Sequence, residues 1–386
     1  MSPRDPHEPH RASTPLELLF DLCFVVAIAQ LAVRLHHAIG HDHAVAAIPA
    51  FGMVFFAIWW AWMNFTWFAS AYDVDDTPYR LLVFVQMAGV LTIAAGVPRA
   101  FDHTDFSLVT AGYSIMRVAQ IAQWLRAAGD PKTRPTARRY ALGLALAQLG
   151  WIGAAFLPFS LWPFAAVVLV PAELLVPLWA ERPHPTPWHS HHIAERYGLL
   201  TLIVLGESVL AATLAIQTAL DDGHFSPALL GLAIGGLVIL FSLWWLYFDV
   251  PAQTYLRSNR DSFIWGYGHF IVFGAAAAVG AGLALAVDAL TEHPGQAAHI
   301  PLHVAGLAVA IPAALFVLSV WVIHLRPLRC GPGWLIAFAA TAALLIGAAF
   351  TPWPIPAIAL LLAALVAWTL RENHRESRRD AVHSPH

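Results

Sequence analysis

Charge is what this chain has least of. Only 12% of its residues are Asp, Glu, Lys or Arg, against about a quarter in a soluble domain. A soluble chain of 386 residues would need polar surface that is missing here. The net charge of −3 offers no basic field, so no nucleic-acid partner is expected. Cysteine is scarce as well. Cys23 lies in the first apolar run and Cys330 in a short basic loop, which makes no disulfide framework. The chain has no Gly-rich phosphate loop, no Ser-His-Asp order, no nucleotide fingerprint and no H-E-x-x-H. No catalytic residue, cofactor or metal ligand set is therefore assigned. The opening MSPRDPHEPHRASTP is polar and carries acids and proline, and no small-residue cleavage site follows the first apolar run. That run is read as a retained first span rather than a leader.

What the chain has is apolar length: 59% hydrophobic residues and a mean hydropathy of +0.63. A membrane helix needs roughly 20 apolar residues. Twelve runs approach that, near 15–38, 44–68, 79–98, 105–126, 138–157, 160–180, 193–219, 226–249, 263–289, 300–325, 333–351 and 353–370. The expected fold is all-α, a polytopic transmembrane helix bundle of about twelve spans. Eighteen of the 21 Lys and Arg then fall on the side shared by the termini and the even-numbered loops; Arg34 and Arg99 lie opposite, and Arg117 lies within a span. Positive charge stays inside, so both termini are expected to be cytoplasmic, in a bacterial cell membrane. Trp59, Trp60, Trp62, Trp67, Trp244, Trp245 and Tyr247 are expected to form interfacial belts.

The chain also looks doubled. Glu17 aligns with Glu195 at an offset of 178, and Trp59-Trp60 with Trp244-Trp245 at 185. Six spans per half is an even number, which predicts two parallel six-helix repeats. The predicted layout is a tail over 1–14, repeats over 15–180 and 193–370, a proline-rich cytoplasmic linker over 181–192, and a tail over 371–386.

Charge in hydrocarbon costs at least about 2.5 kcal/mol at a helix centre, so membrane-embedded polar residues are site candidates. Glu17 and Asp21 lie one turn apart on one helix face, with Gln30 deeper. Glu17 also suits a helix N-terminus for its dipole alone. Glu207 sits mid-span between Gly206 and Ser208, where small neighbours permit close approach or a wet pocket. Glu195 and Arg196 open the same helix, able to pair with Asp21 or Glu17 or to stand as interfacial charge. Arg117 and Glu173 are deep enough to need partners, and the simplest is each other. His269 and His303 read as packing residues before proton carriers. The clusters His36, His37, His41, Asp42, His43 and His184, His189, His191, His192 read as solvated loop histidines.

The segment Pro15-Leu16-Glu17-Leu18-Leu19-Phe20-Asp21-Leu22-Cys23-Phe24-Val25, after Arg11, resembles the E-L-F-F-D-L-V-F opening of the bacterial low temperature requirement A family. His192-Ile193-Ala194-Glu195-Arg196, followed by Gly206-Glu207-Ser208, resembles its second signature, H-x-x-E-R … G-E-S. Cys23 stands where Val is more usual. The resemblance reaches to about residue 370. It implies an inner-membrane protein associated with growth in the cold, and supplies no reaction. The doubled layout with Phe20-Asp21 in the first helix is also similar to the lysosomal potassium and proton channels with an F-S-D motif. Three functions follow as expectations: transport of an ion or proton-linked small solute past the embedded acids, a membrane enzyme on a lipid-like substrate, or a non-catalytic scaffold or sensor. The bilayer itself is the expected partner, and an oligomer is compatible with the sequence.

Overall fold

A computed structural model describes the chain apart from residues 2, 7, 9, 10, 42, 224, 225, 255, 257, 292–299, 328–330 and 384–386, and the side chains of 159, 254 and 376–383. Asp42, Arg257, Arg329 and Cys330, and the side chains of Arg378 and Arg379, thus lie outside the described residues. Among the described residues there is no strand. The helices are α1 (Pro15–Gly40), α2 (Ala44–Tyr72), α3 (Thr77–His103), α4 (Ser107–Ala127), α5 (Arg134–Ala155), α6 (Trp162–Ala180), α7 (Ser190–Asp221), α8 (Pro227–Phe248), α9 (Asn259–Asp288), α10 (Leu302–Val320), α11 (Pro332–Ala348) and α12 (Pro354–His383). Nine described helices are long and apolar enough to cross a membrane: α1 to α3, α6 to α9, α12, and α10 with its extension to Leu325. Of the rest, α11 is a short apolar helix, and α4 carries Arg117, Gln120 and Gln123 on its buried side.

The helix ends follow from local chemistry. Thr14 and Glu17 form a reciprocal capping box at the start of α1: Glu17 N donates to Thr14 Oγ1 at 3.3 Å and Thr14 N to Glu17 Oε2 at 2.9 Å. Asp76 caps α3 by accepting from Tyr79 N at 2.8 Å, one residue before Thr77-Pro78. At the far end of α2, the Arg11 guanidinium donates to the carbonyls of Ser70 and Ala69, the latter also accepting from Asp73 N at 3.1 Å.

The chain divides into two compact units that interleave along the sequence. One comprises 1–34, 45–200 and 252–262, the other 35–44, 201–251 and 263–386. In the first unit α3 and α4 pack backbone to backbone through glycine. A Cβ on Gly112 would lie 2.5 Å from Gly89 O and 2.7 Å from Ile93 N. In the second unit α9 is the central helix, with 83% of its most apolar window buried, and a Cβ on Gly280 would lie 2.6 Å from Ser208 Oγ of α7.

The prolines of 181–189 end α6 at Ala180, and helix resumes at Ser190, inside the stretch expected to be linker. The connection is folded onto the first unit through Glu181, which accepts from Tyr140 Oη at 2.8 Å, Thr186 N at 2.6 Å and Thr186 Oγ1 at 2.8 Å. Burial pushes the Glu181 carboxyl above its usual range despite these donors. The expected aromatic belt is corrected in the first unit. Trp59, Trp60 and Trp62 are buried rather than interfacial, and the indoles of Trp60 and Trp62 donate to buried carboxylates. Trp244 and Trp245 of α8 are exposed.

Two predictions follow. Gly112→Ala forces α3 from α4 and lowers stability by about 1–3 kcal/mol, read as a depressed thermal midpoint in detergent, whereas Gly153→Ala, whose Cβ meets nothing within 4 Å, does not. For Glu181 the folded state binds the proton more tightly than the unfolded chain. Its contribution is therefore full below the ordinary carboxylate range and is lost as pH rises through the raised folded value. Glu181→Gln keeps an acceptor and flattens this decline in a thermal-midpoint series from about pH 4 to about pH 8.

Candidate functional site

The first unit holds a cluster of ionisable side chains with no solvent exposure. Glu17 and Asp21, four residues apart, face the same way from α1, and Arg196 reaches them from α7. Arg196 Nη1 donates to Glu17 Oε1 at 3.0 Å, Nε to Asp21 Oδ2 at 3.0 Å and Nη2 to Asp21 Oδ1 at 2.5 Å. The planar guanidinium thus forks onto Asp21 and keeps one arm for Glu17, a geometry lysine cannot reproduce. Two further groups complete the cluster: His192 Nε2 lies 3.1 Å from Glu17 Oε1, and Trp62 Nε1 donates to Asp21 Oδ1 at 2.7 Å. Tyr197 lies edge-on to the Trp62 ring with centroids 4.8 Å apart, and its hydroxyl accepts from Trp67 Nε1 at 3.0 Å. Glu17 therefore does two jobs: one oxygen caps α1 and the other meets Arg196 and His192. With two carboxylates against one guanidinium, one further proton, on His192 or on an acid, makes the cluster neutral.

A second buried pair lies in the same unit. Arg117 Nη2 of α4 donates to Glu173 Oε2 of α6 at 2.8 Å, and also bonds Tyr113 Oη. Trp60 Nε1 donates to the same Glu173 oxygen at 2.8 Å. Trp60 and Trp62 are two residues apart, so they leave α2 on opposite faces, one toward each cluster.

Of the residues picked from the sequence, Arg196 therefore joins Glu17 and Asp21, and Arg117 joins Glu173. The others stand apart. Glu195 is half-buried and accepts from Ser13 N at 3.3 Å. Gln30 is half-buried on α1. Glu207 is half-buried on α7, with no hydrogen bond or ion pair among the described residues, beside an exposed Gly206. Ser208 is buried in the second unit, within 3.1 Å of Val204 O and 3.2 Å of Ala276 O. His303 is exposed and stacks on Phe350.

His269 is the best partnered of the histidines. It is fully buried, with Nδ1 at 2.7 Å from Trp265 O, and Nε2 at 2.9 Å from Tyr247 Oη and 3.3 Å from His324 Nε2. His324 sits in a π turn, Trp321–Leu325, that continues α10. The loop histidines also find partners: His36 Nε2 lies 2.7 Å from Asp288 Oδ2, and His41 Nδ1 2.8 Å from His37 O. Among the described residues no group of three or more His, Cys, Asp or Glu is placed to hold a metal ion.

Sequence reading missed His192, Trp62, Trp60, Tyr113, Tyr247 and His324. For His192 a signal existed, since its four-residue spacing to Arg196 places both on one face once helix is allowed to begin at Ser190. Tyr113 carried the same signal, four residues before Arg117 on α4, whereas the others are partners across helices, which no periodicity reveals.

Arg196 is the group on which the first cluster balances. Arg196→Met leaves two buried carboxylates unpaired and costs about 3–5 kcal/mol of stability. In a double-mutant cycle with Asp21→Asn, the second change recovers part of that loss. Additive effects in thermal or denaturant unfolding would mean that the pair does not couple.

Comparison with known proteins joins this geometry to a family. The profile described as "Bacterial low temperature requirement A protein (LtrA)" matches residues 12–370. The match takes in both helices that supply the Arg196 cluster and both that supply Arg117 and Glu173. A curated relative, an uncharacterized protein of Rhizobium meliloti (strain 1021), is 30% identical over 306 residues, covering 74% of this chain and 71% of its own. With its membrane-length helices, this chain is an integral membrane protein and belongs to the bacterial low temperature requirement A (LtrA) family.

Proposed function

We propose that this protein carries an ion or a proton-linked small solute across the bacterial cell membrane, with the Glu17–Asp21–Arg196–His192 cluster as its charge-handling centre. The observation that carries this reading is the complete burial of two carboxylates and a guanidinium between apolar helices. Hydrocarbon makes such groups costly, and they are kept where charge or protons must be handled. Glu207 supports it from α7 as a half-buried carboxylate with no hydrogen bond or ion pair among the described residues. The layout that goes with this proposal has twelve spans, both termini cytoplasmic, and two parallel six-helix repeats, with α4, α5 and α11 as the remaining spans. The basic-residue distribution and the closeness of the helix ends to the apolar runs favour it.

A non-transporting scaffold is favoured by a different observation. Arg196 meets carboxylate on both sides, as a lock between α1 and α7 would. Flux separates the two readings. Reconstituted in liposomes, the wild type passes protons or potassium down an imposed gradient, and Asp21→Asn and Glu207→Gln each remove most of that flux. Unchanged flux in both variants, with folding verified, would remove the embedded acids from the path, and no flux in the wild type would favour the scaffold.

A further inference from the structure

Among the helices too polar to count as membrane-length, α4 has an inverted surface. On α4 the outward residues Ile115, Val118 and Leu125 are apolar and exposed, whereas Tyr113, Arg117, Gln120 and Trp124 form one buried row at spacings of four, three and four. Such a helix is turned inside out relative to one in water: its apolar side faces outward and its polar side lines the interior of the unit.

The row is also under-satisfied. Arg117 Nε, both polar atoms of Gln120 and Trp124 Nε1 are buried with no hydrogen-bond partner, and so is Nε2 of the adjacent Gln123, whose Oε1 accepts from Gln86 at 2.9 Å. The four residues are each at least 97% buried. An unmet buried donor costs about 1–3 kcal/mol, so five such atoms along two turns are a large standing cost unless something meets them. Four of the five are N–H donors and one is a carbonyl oxygen. The lining is thus strongly donor-rich, and it begins at a guanidinium.

The row has two distinct ends. Tyr113 lines an apolar cleft together with Phe56, Phe106, Trp151 and Trp162. At the other end Trp124 stacks on Tyr140, centroids 4.0 Å apart, and Tyr140 Oη bonds Glu181 in the connection after α6. From residue 113 to 124 the helix rises about 16 Å, half of a hydrocarbon core.

We propose that the buried row Arg117–Gln120–Gln123–Trp124 of α4 is a binding site for a small monovalent inorganic anion, entered from the Tyr113 cleft. Fixed N–H donors and a guanidinium are the groups that replace the hydration of an anion. Among the unmet atoms of the row a cation would find only the Gln120 carbonyl. Glu173 holds the Arg117 Nη2 corner at 2.8 Å and leaves Nε to the row. The inference deepens the transport reading by naming the substrate class, and rests on that reading only for movement, not for binding.

Chloride and nitrate are the probes, with gluconate, too large for the row, as the balancing ion at constant ionic strength. In purified protein, chloride or nitrate raises the thermal midpoint in a saturable way. Trp124→Phe, which deletes the N–H and keeps a smaller aromatic ring, weakens the apparent affinity about tenfold. Gln120→Met, close in volume, abolishes the response. A wild-type midpoint indifferent to the anion, or a response unchanged in both variants, overturns the site. In liposomes the same two variants lower chloride influx. A saturable midpoint response without flux in any condition keeps the site and removes the transport reading. Proton or potassium flux with no anion response keeps transport and removes the site.

Discussion

Arg196 is the contact on which the first unit depends. A guanidinium this deep has no water to lean on, so its neighbours must supply every favourable interaction. Asp21 takes two of its nitrogens and Glu17 a third. Because the acids come from α1 and the arginine from α7, the ion cluster fixes the rotation of both helices as well as their approach. A turn of either helix by one residue, about 100°, would leave charge facing hydrocarbon. The apolar rings around it, Phe20, Phe24 and Phe65, then pack in the register that the charges dictate.

The same logic explains α2. Its indoles at 60 and 62 are pointed in opposite directions by the helix repeat, and each ends on a carboxylate oxygen already claimed by an arginine. Trp therefore serves here as a long, rigid N–H donor inside the unit, where its ring adds apolar contact at the same time. An aromatic belt needs neither feature, and this is why the count of Trp near apparent span ends misled. Trp244 and Trp245, exposed on α8, lack this arrangement, so the repeated Trp-Trp dipeptide does not carry the same chemistry in both places.

Much of the fold was legible because apolar length is a local property. The helix ends lie within a few residues of the apolar runs, except where polar residues continue the helix well past the run, as at the end of α12. The spacing of Glu17 and Asp21 and the depth of Arg117 and Glu173 were legible too, since charge in an apolar run is conspicuous. What stayed hidden is which helix faces which. Trp62 and His324 look like ordinary aromatic residues until a partner helix is placed beside them. The capping box at Thr14–Glu17 shows a further limit: a residue explained fully by local helix chemistry also serves a long-range contact, so a sufficient local account does not exclude another role.

The two arginines of the first unit make a useful contrast. Arg196 is closely engaged, with carboxylate oxygens against three of its nitrogens, which suits a fixed element whose loss costs structure. Arg117 shares Nη2 between Glu173 and Tyr113 and keeps Nε unmet, next in line to a row of amides and an indole in the same condition. Structural ion pairs are favoured when their lone pairs and protons are all used, because every unused one carries a desolvation cost. By that criterion Arg196 is the more fully satisfied of the two, and Arg117 is the one with a buried donor still unused.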